Sequence, residues 1–178
     1  SGFTTVIMEN QGTVDHHAIF IKLDDGKTLD DAIAAETPLD LSKLGASFGG
    51  PVVSPDTKRA TVIDLKEGSY VVACVIVIPD GIPHYHKGMI VPLEATSNDA
   101  PGVAPAADLT VELTEMMFHE LPETLAAGSA VWEIKNVGTT IHEMVVFKLD
   151  EGITGDQVDE RFCGQWLVGH RPCRKVKF

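Results

Sequence analysis

Long apolar runs are missing from this chain of 178 residues. The longest, from Val71 to Ile78, falls far short of the roughly 20 residues that a membrane-spanning helix needs, so no such span is expected. Basic residues are scarce as well: 14 Lys and Arg stand against 26 Asp and Glu, which leaves a net charge of −12. A surface of that sign repels phosphate backbones and argues against nucleic acid as a partner, while metal cations and basic proteins stay open. Cysteine is too sparse for a disulfide framework. Cys163 and Cys173 are spaced for one bridge, which would leave Cys74 as the odd thiol. No Ser-His-Asp set, phosphate-cradling glycine loop or paired carboxylates are evident, so hydrolase and kinase chemistry lack support and no catalytic residue is assigned. No leader peptide is visible either, although the chain opens at Ser1 rather than at an initiator Met, as the processed form of an exported protein would.

What is present begins with an internal repeat. Shifted by 126 positions, residues 1–30 align without gaps on 127–156, with eleven identities that include Asn10/Asn136, Gly12/Gly138, Thr13/Thr139 and His16/His142. Average residue usage would give about two, so the match is a duplication. The two copies have unequal flanks. The first runs on to residue 95, whereas the second fades after about residue 161; the strand-like stretch 109–114 precedes the second copy, and nothing precedes the first. The expected organisation is therefore a first unit at 1–95 lacking its leading strand, a Pro/Ala/Gly linker at 96–107, and a partial second unit at 108–178.

Period-two patterning dominates. Ala130, Trp132 and Ile134 alternate with polar residues, as do Leu109, Val111 and Leu113, and each series reads as a half-buried strand. Further strands are expected at Ala60–Leu65, Ser69–Val77 and Met89–Glu94. The run from Tyr70 to Ile78 is apolar on both faces, as a central strand should be. Helical pattern is confined to about residues 29–35 and 155–161. Short strands punctuated by turns predict an all-β, Greek-key β-sandwich. Tyr70, two residues after Gly68, reads as a tyrosine corner. An open sheet edge in the first unit would invite pairing. The 12-residue linker, averaging roughly 17–21 Å in span, would let strand 109–114 fill that edge within the chain or in a homodimer.

Four residues could hold a metal ion. His16 follows the Asn-x-Gly turn, Cys74 ends the pattern Gly68-x-Tyr70-x₃-Cys74, and His84 and Met89 lie in the stretch PHYHKGM beyond a nine-residue spacer. Two imidazoles, a thiolate and a weak thioether form the donor set of blue-copper sites, because sulfur favours Cu(I) and imidazole accepts both oxidation states. His86 and His17 stand beside His84 and His16 as competitors for the same roles. Each residue also has a packing reading: buried cysteine and methionine are common in cores, and a lone histidine commonly orders a turn.

On these residues the chain resembles the cupredoxin superfamily, close to bacterial plastocyanin-like and azurin-like domains. The stretch His16-His17-Ala18-Ile19-Phe20 looks like the family's histidine strand, and Gly68, Tyr70 and Cys74 look like its cysteine strand. The spacer before His84 is longer than in plastocyanin and is similar to the ligand loop of copper nitrite reductase. The resemblance covers residues 1–95 well and 108–156 partly; residues 161–178 match nothing in it. It implies an exported, periplasmic or secreted protein with copper at His16, Cys74, His84 and Met89, and a redox partner protein. Two alternatives are a metal-free module of the same fold and a fragment of a multi-domain copper oxidoreductase. The second copy keeps His142 but has Glu143 where the first has His17, and no Cys-loop-His-Met follows it.

Overall fold

The doubly apolar run around Tyr70 makes the strand on which the rest is assembled. In the computed structural model, which describes residues 1–146, 148–149 and 151–153, the chain divides into two compact units, Ser1–His142 and Glu143–Phe178. The expected helix at 155–161 and both Cys163 and Cys173 lie outside the described residues. In the first unit a four-stranded antiparallel sheet has the order β4-β3-β7-β8, built from β3 (Ile19–Leu23), β4 (Gly45–Ser47), β7 (Gly68–Ala73) and β8 (Ile90–Ala95). A long ladder pairs β1 (Gly2–Glu9) with β6 (Lys58–Leu65), from Gly2 opposite Leu65 to Glu9 opposite Lys58. The short β2 (His16–His17) pairs with β5 (Val52–Val53).

Both faces of β3 and β7 are covered, by different material. Ile21, Val71 and Ala73 pack with Ala32, Leu41 and Tyr85 beneath two short helices, α1 (Leu29–Ala34) and α2 (Pro38–Ser42). Phe20 and Tyr70 pack with Ile63 and Leu65 of β6, and Val6 of β1 leans on that cluster. Burying side chains of this size stabilises by roughly 1.5–3 kcal/mol each. The Tyr70 hydroxyl donates to the Lys66 carbonyl at 2.8 Å and accepts from the Lys66 N–H at 2.9 Å, the tyrosine corner expected from its position. Helix α1 starts with a capping box, in which the Thr28 side chain accepts from the Asp31 N–H while the Asp31 carboxylate accepts from the Thr28 N–H. Thr37 caps α2, with Pro38 in its first turn.

Two features differ from the sequence-based expectation. The strand expected over Ser69–Val77 stops at Ala73, because the chain beyond it is held by the ligand loop instead of by a neighbouring strand. Residues 109–114 form β9 (Leu109–Thr114) and pair with β10 (Met117–His119) and, in parallel, with β11 (Trp132–Asn136), not with the first copy. At the start of β1 it is the linker that lies close. The Ser1 ammonium donates to the Thr96 carbonyl, and a Cβ on Gly102 would come within 2.1 Å of the Phe3 carbonyl oxygen. No helix among the described residues is long and apolar enough to cross a membrane.

Candidate metal centre

Three segments deliver the candidate ligands, one of them 58 residues before Cys74 and one ten residues after it. The first is the loop between β1 and β2. Asn10 is buried, and its amide nitrogen donates to the carbonyls of Val14 at 2.7 Å and Val53 at 3.0 Å. Its side-chain oxygen accepts from the Gly12 N–H at 2.8 Å. This Asx-type turn reverses the chain and brings His16 onto β2. Position 12 is tight for a side chain, since a Cβ there would come to 3.2 Å from both the Asn10 oxygen and the His16 Nε2.

The second segment is Cys74, one residue past the end of β7. Its N–H donates to the Met89 carbonyl at 2.9 Å, and its carbonyl accepts from the Tyr85 N–H at 3.0 Å. Both ends of the ligand loop are thereby tied to the cysteine. The third segment is that loop. It turns at Gly81 with φ of +82°, where a side chain would be strained, and the Lys87 ammonium pairs with Asp80 at 2.7 Å. A 3₁₀ turn, His84–Lys87, ends at the left-handed Gly88.

The outcome is a group of three: His16, Cys74 and His84 present ligand atoms that all lie within 4.8 Å of one another. The Cys74 Sγ is 3.2 Å from the His84 Nδ1 and 4.0 Å from the His16 Nδ1. The two imidazole rings stand 5.0 Å apart, tilted by 50°. Cys74 is a free thiol and, like His84, is buried, while His16 is half-buried. The backbone N–H of His17 also donates to the sulfur, at 3.2 Å. Donors of this kind, at these separations and largely screened from water, are compatible with a bound metal ion.

Burial shifts Cys74, His84 and the adjacent His17 towards their neutral forms. Burial pushes the Cys74 thiol up, only partly opposed by hydrogen bonds from the His17 and Ile76 backbone. Burial lowers His84, and the neighbouring His16 and Lys87 lower it further. His17 is lowered to about 4, mainly by burial and secondarily by His84 and His16, against the pull of Asp15. The two histidine shifts favour neutral imidazole, the form that ligates, whereas the Cys74 shift favours the thiol, whose proton must leave before the sulfur ligates.

The two ambiguous pairs separate in the structure. His86 does not join the group: its Nε2 donates to the Ala35 carbonyl at 2.7 Å, beside the Tyr85 hydroxyl, which donates to the same oxygen at 2.8 Å. His17 offers the sulfur its backbone, and His16 offers its ring. Met89 sits beside Cys74 through that backbone hydrogen bond, and both line a cleft of about 220 Å³. Sequence reasoning passed over Asn10 and Tyr85, which position the ligand segments, and Met8, which lines the same cleft. The Asn-x-Gly turn before His16 and the identity Asn10/Asn136 in the repeat were the signals for the first of these. Comparison of the chain with protein-family models, with curated proteins and with solved structures returned no match.

Proposed function

We propose that this is a cupredoxin-like Greek-key protein that holds one copper ion through His16, Cys74 and His84, with Met89 as a weak axial ligand. In this reading it serves as an exported electron-transfer or copper-handling protein. The observation that carries the proposal is the convergence of two imidazole Nδ1 atoms and one buried thiol from three separate segments. The tyrosine corner at Tyr70 and the β1–β6 ladder stacked over the β3–β7 sheet support the Greek-key reading. Copper at such a site supplies a one-electron couple. The protein's share is to fix the donors and keep water out: the Asn10 turn sets His16, while the Tyr85 and Cys74 backbone bonds set His84. A ligand frame tied at both ends changes little between oxidation states, which keeps reorganisation small. The acidic surface fits a basic redox partner.

One observation favours a second reading, a metal-free module of the same fold. The Cys74 sulfur already accepts the His17 N–H and lies within hydrogen-bond reach of His84, so the cluster is satisfied as a small polar network. Copper titration of the purified chain with metal analysis and visible absorption separates the two. One equivalent retained with an intense thiolate-to-copper band supports the centre; a colourless, metal-free product after dialysis supports the module.

A further inference from the structure

Beside the ligand cluster lies a cleft that brings one further sulfur-bearing residue, Met8, to the same lining as Cys74 and Met89. Met8 lies near the end of β1, half-buried, two residues beyond Val6, whose side chain packs into the Phe20–Ile63 cluster. The strand alternates, so Met8 shares the inward face with Val6, while Ile7 between them is 60% exposed. Met89 lies just before β8 and is bonded through its carbonyl to the Cys74 N–H. Met8, Cys74 and Met89 line one cleft of about 220 Å³, together with His17, Val72, Ile90 and Val91. No Asp, Glu, Lys or Arg lines it.

We propose that the cleft lined by Met8, Cys74 and Met89 is a binding subsite for a soft monovalent cation of the copper(I) class, sharing Cys74 with the imidazole pair. This rests on the copper reading for its biological sense but not for its chemistry. Thioether and thiolate sulfur bind Cu(I) in preference to hard cations. One thiolate and one monovalent ion sum to zero charge, which suits apolar walls; a divalent ion would leave a net positive charge there and is penalised. Binding displaces the Cys74 thiol proton to solvent and changes no oxidation state, so no oxidant or reductant is consumed. Because Met89 is 38% exposed, the subsite opens to the surface.

The test uses the full chain, with Ag(I) as an air-stable stand-in and Cu(I) under anaerobic competition with a chromophoric chelator. Met8→Leu keeps side-chain volume and should fold normally, as a thermal unfolding curve can verify. The variant is expected to weaken Ag(I) and Cu(I) binding by about tenfold or more while leaving the Cu(II) absorption band unmoved. In protein labelled at the methionine methyl groups, Ag(I) should shift the resonances of both Met8 and Met89, and neither in Cys74→Ser. Monovalent affinity within about twofold of the parent in Met8→Leu, or a Met89 shift without a Met8 shift, overturns the proposal. If the parent shows no Cu(II) band but loses Ag(I) affinity on Met8→Leu, the copper-centre reading fails and the subsite stands. If the band is present and Met8→Leu changes nothing, the reverse holds.

Discussion

The loops at residues 10–16 and 136–142 are nearly the same object in two settings. In each, the asparagine amide donates to the carbonyl four residues on, at 2.7 Å in both. In each, the glycine N–H donates to the asparagine oxygen, at 2.8 and 3.0 Å. In each, a Cβ on the glycine would run into the Nε2 of the following histidine, at 3.2 and 2.9 Å. What surrounds the histidines differs. His16 faces Cys74 and His84, whereas the loop of His142 is met by Glu115, whose carboxylate accepts from the Thr139 N–H and hydroxyl. Those hydrogen bonds hold Glu115 down at about 2, with the nearby His142 contributing least. Among the described residues, only the first loop takes part in a three-ligand group. A short sequence suffices to make the histidine turn; among the described residues, the partners that complete a three-ligand group meet only the first copy. The strands leading into the loops show the same dependence on context, since β1 pairs antiparallel with β6 and β11 pairs parallel with β9.

The comparison can be broken most sharply at the ligands. Cys74→Ser should abolish the visible band of copper-loaded protein completely while circular dichroism stays unchanged, because the thiolate supplies the charge transfer. A band that survives this substitution assigns the colour to another residue.

A smaller effect is expected on acidification. His17, lowered from 6.5 to about 4 in the folded chain, takes up its proton less readily when folded than when unfolded. The unfolded state therefore binds more protons between these values, and stability falls as pH drops from about 6.5 towards 4. The loss should be a few kcal/mol at most, at roughly 1.4 kcal/mol per pH unit across that window. Urea unfolding of metal-free protein across this range measures it, and His17→Gln should flatten the slope. A slope that His17→Gln leaves intact would place the titration elsewhere.

The two loop asparagines sharpen the contrast further. Asn10 is 3% exposed and its amide serves two carbonyls, so Asn10→Ala leaves buried groups unsatisfied and should cost roughly 1–3 kcal/mol. Asn136 makes the same turn in an exposed setting, and Asn136→Ala should cost no more than about 0.5 kcal/mol. Equal losses in chemical denaturation would mean the loops are equivalent after all. The smallest expected change is at the axial position, where Met89→Gln should retain copper and lower the reduction potential. An unchanged potential in voltammetry would remove Met89 from the ligand set.

Much of this fold was legible because it rests on local patterns. The doubly apolar β7, the tyrosine corner and the capped α1 all follow from residues within a few positions of one another. The ligand segments were legible through spacing and resemblance, but two choices were not. His84 and His86 lie two apart in a 3₁₀ turn, so they point to different sides, and which side meets Cys74 is decided by the fold of the loop onto α1. His16 and His17 alternate across a strand for the same kind of reason. Partnering was illegible as well: nothing local says that β9 joins β11, or that the linker lies beside Phe3. Met8 was hidden because it reads as one more inward residue of an alternating strand.

The proposal that tertiary context makes the first histidine loop, and not the second, a metal site is tested most directly by copper stoichiometry in two matched variants. Copper-loaded protein, dialysed and analysed for metal together with its visible spectrum, should hold one equivalent per chain. His16→Ala should lose most of that copper and the band, while His142→Ala should keep both at the parent level. Equal copper in His16→Ala and parent, or a matching loss in His142→Ala, would contradict the account.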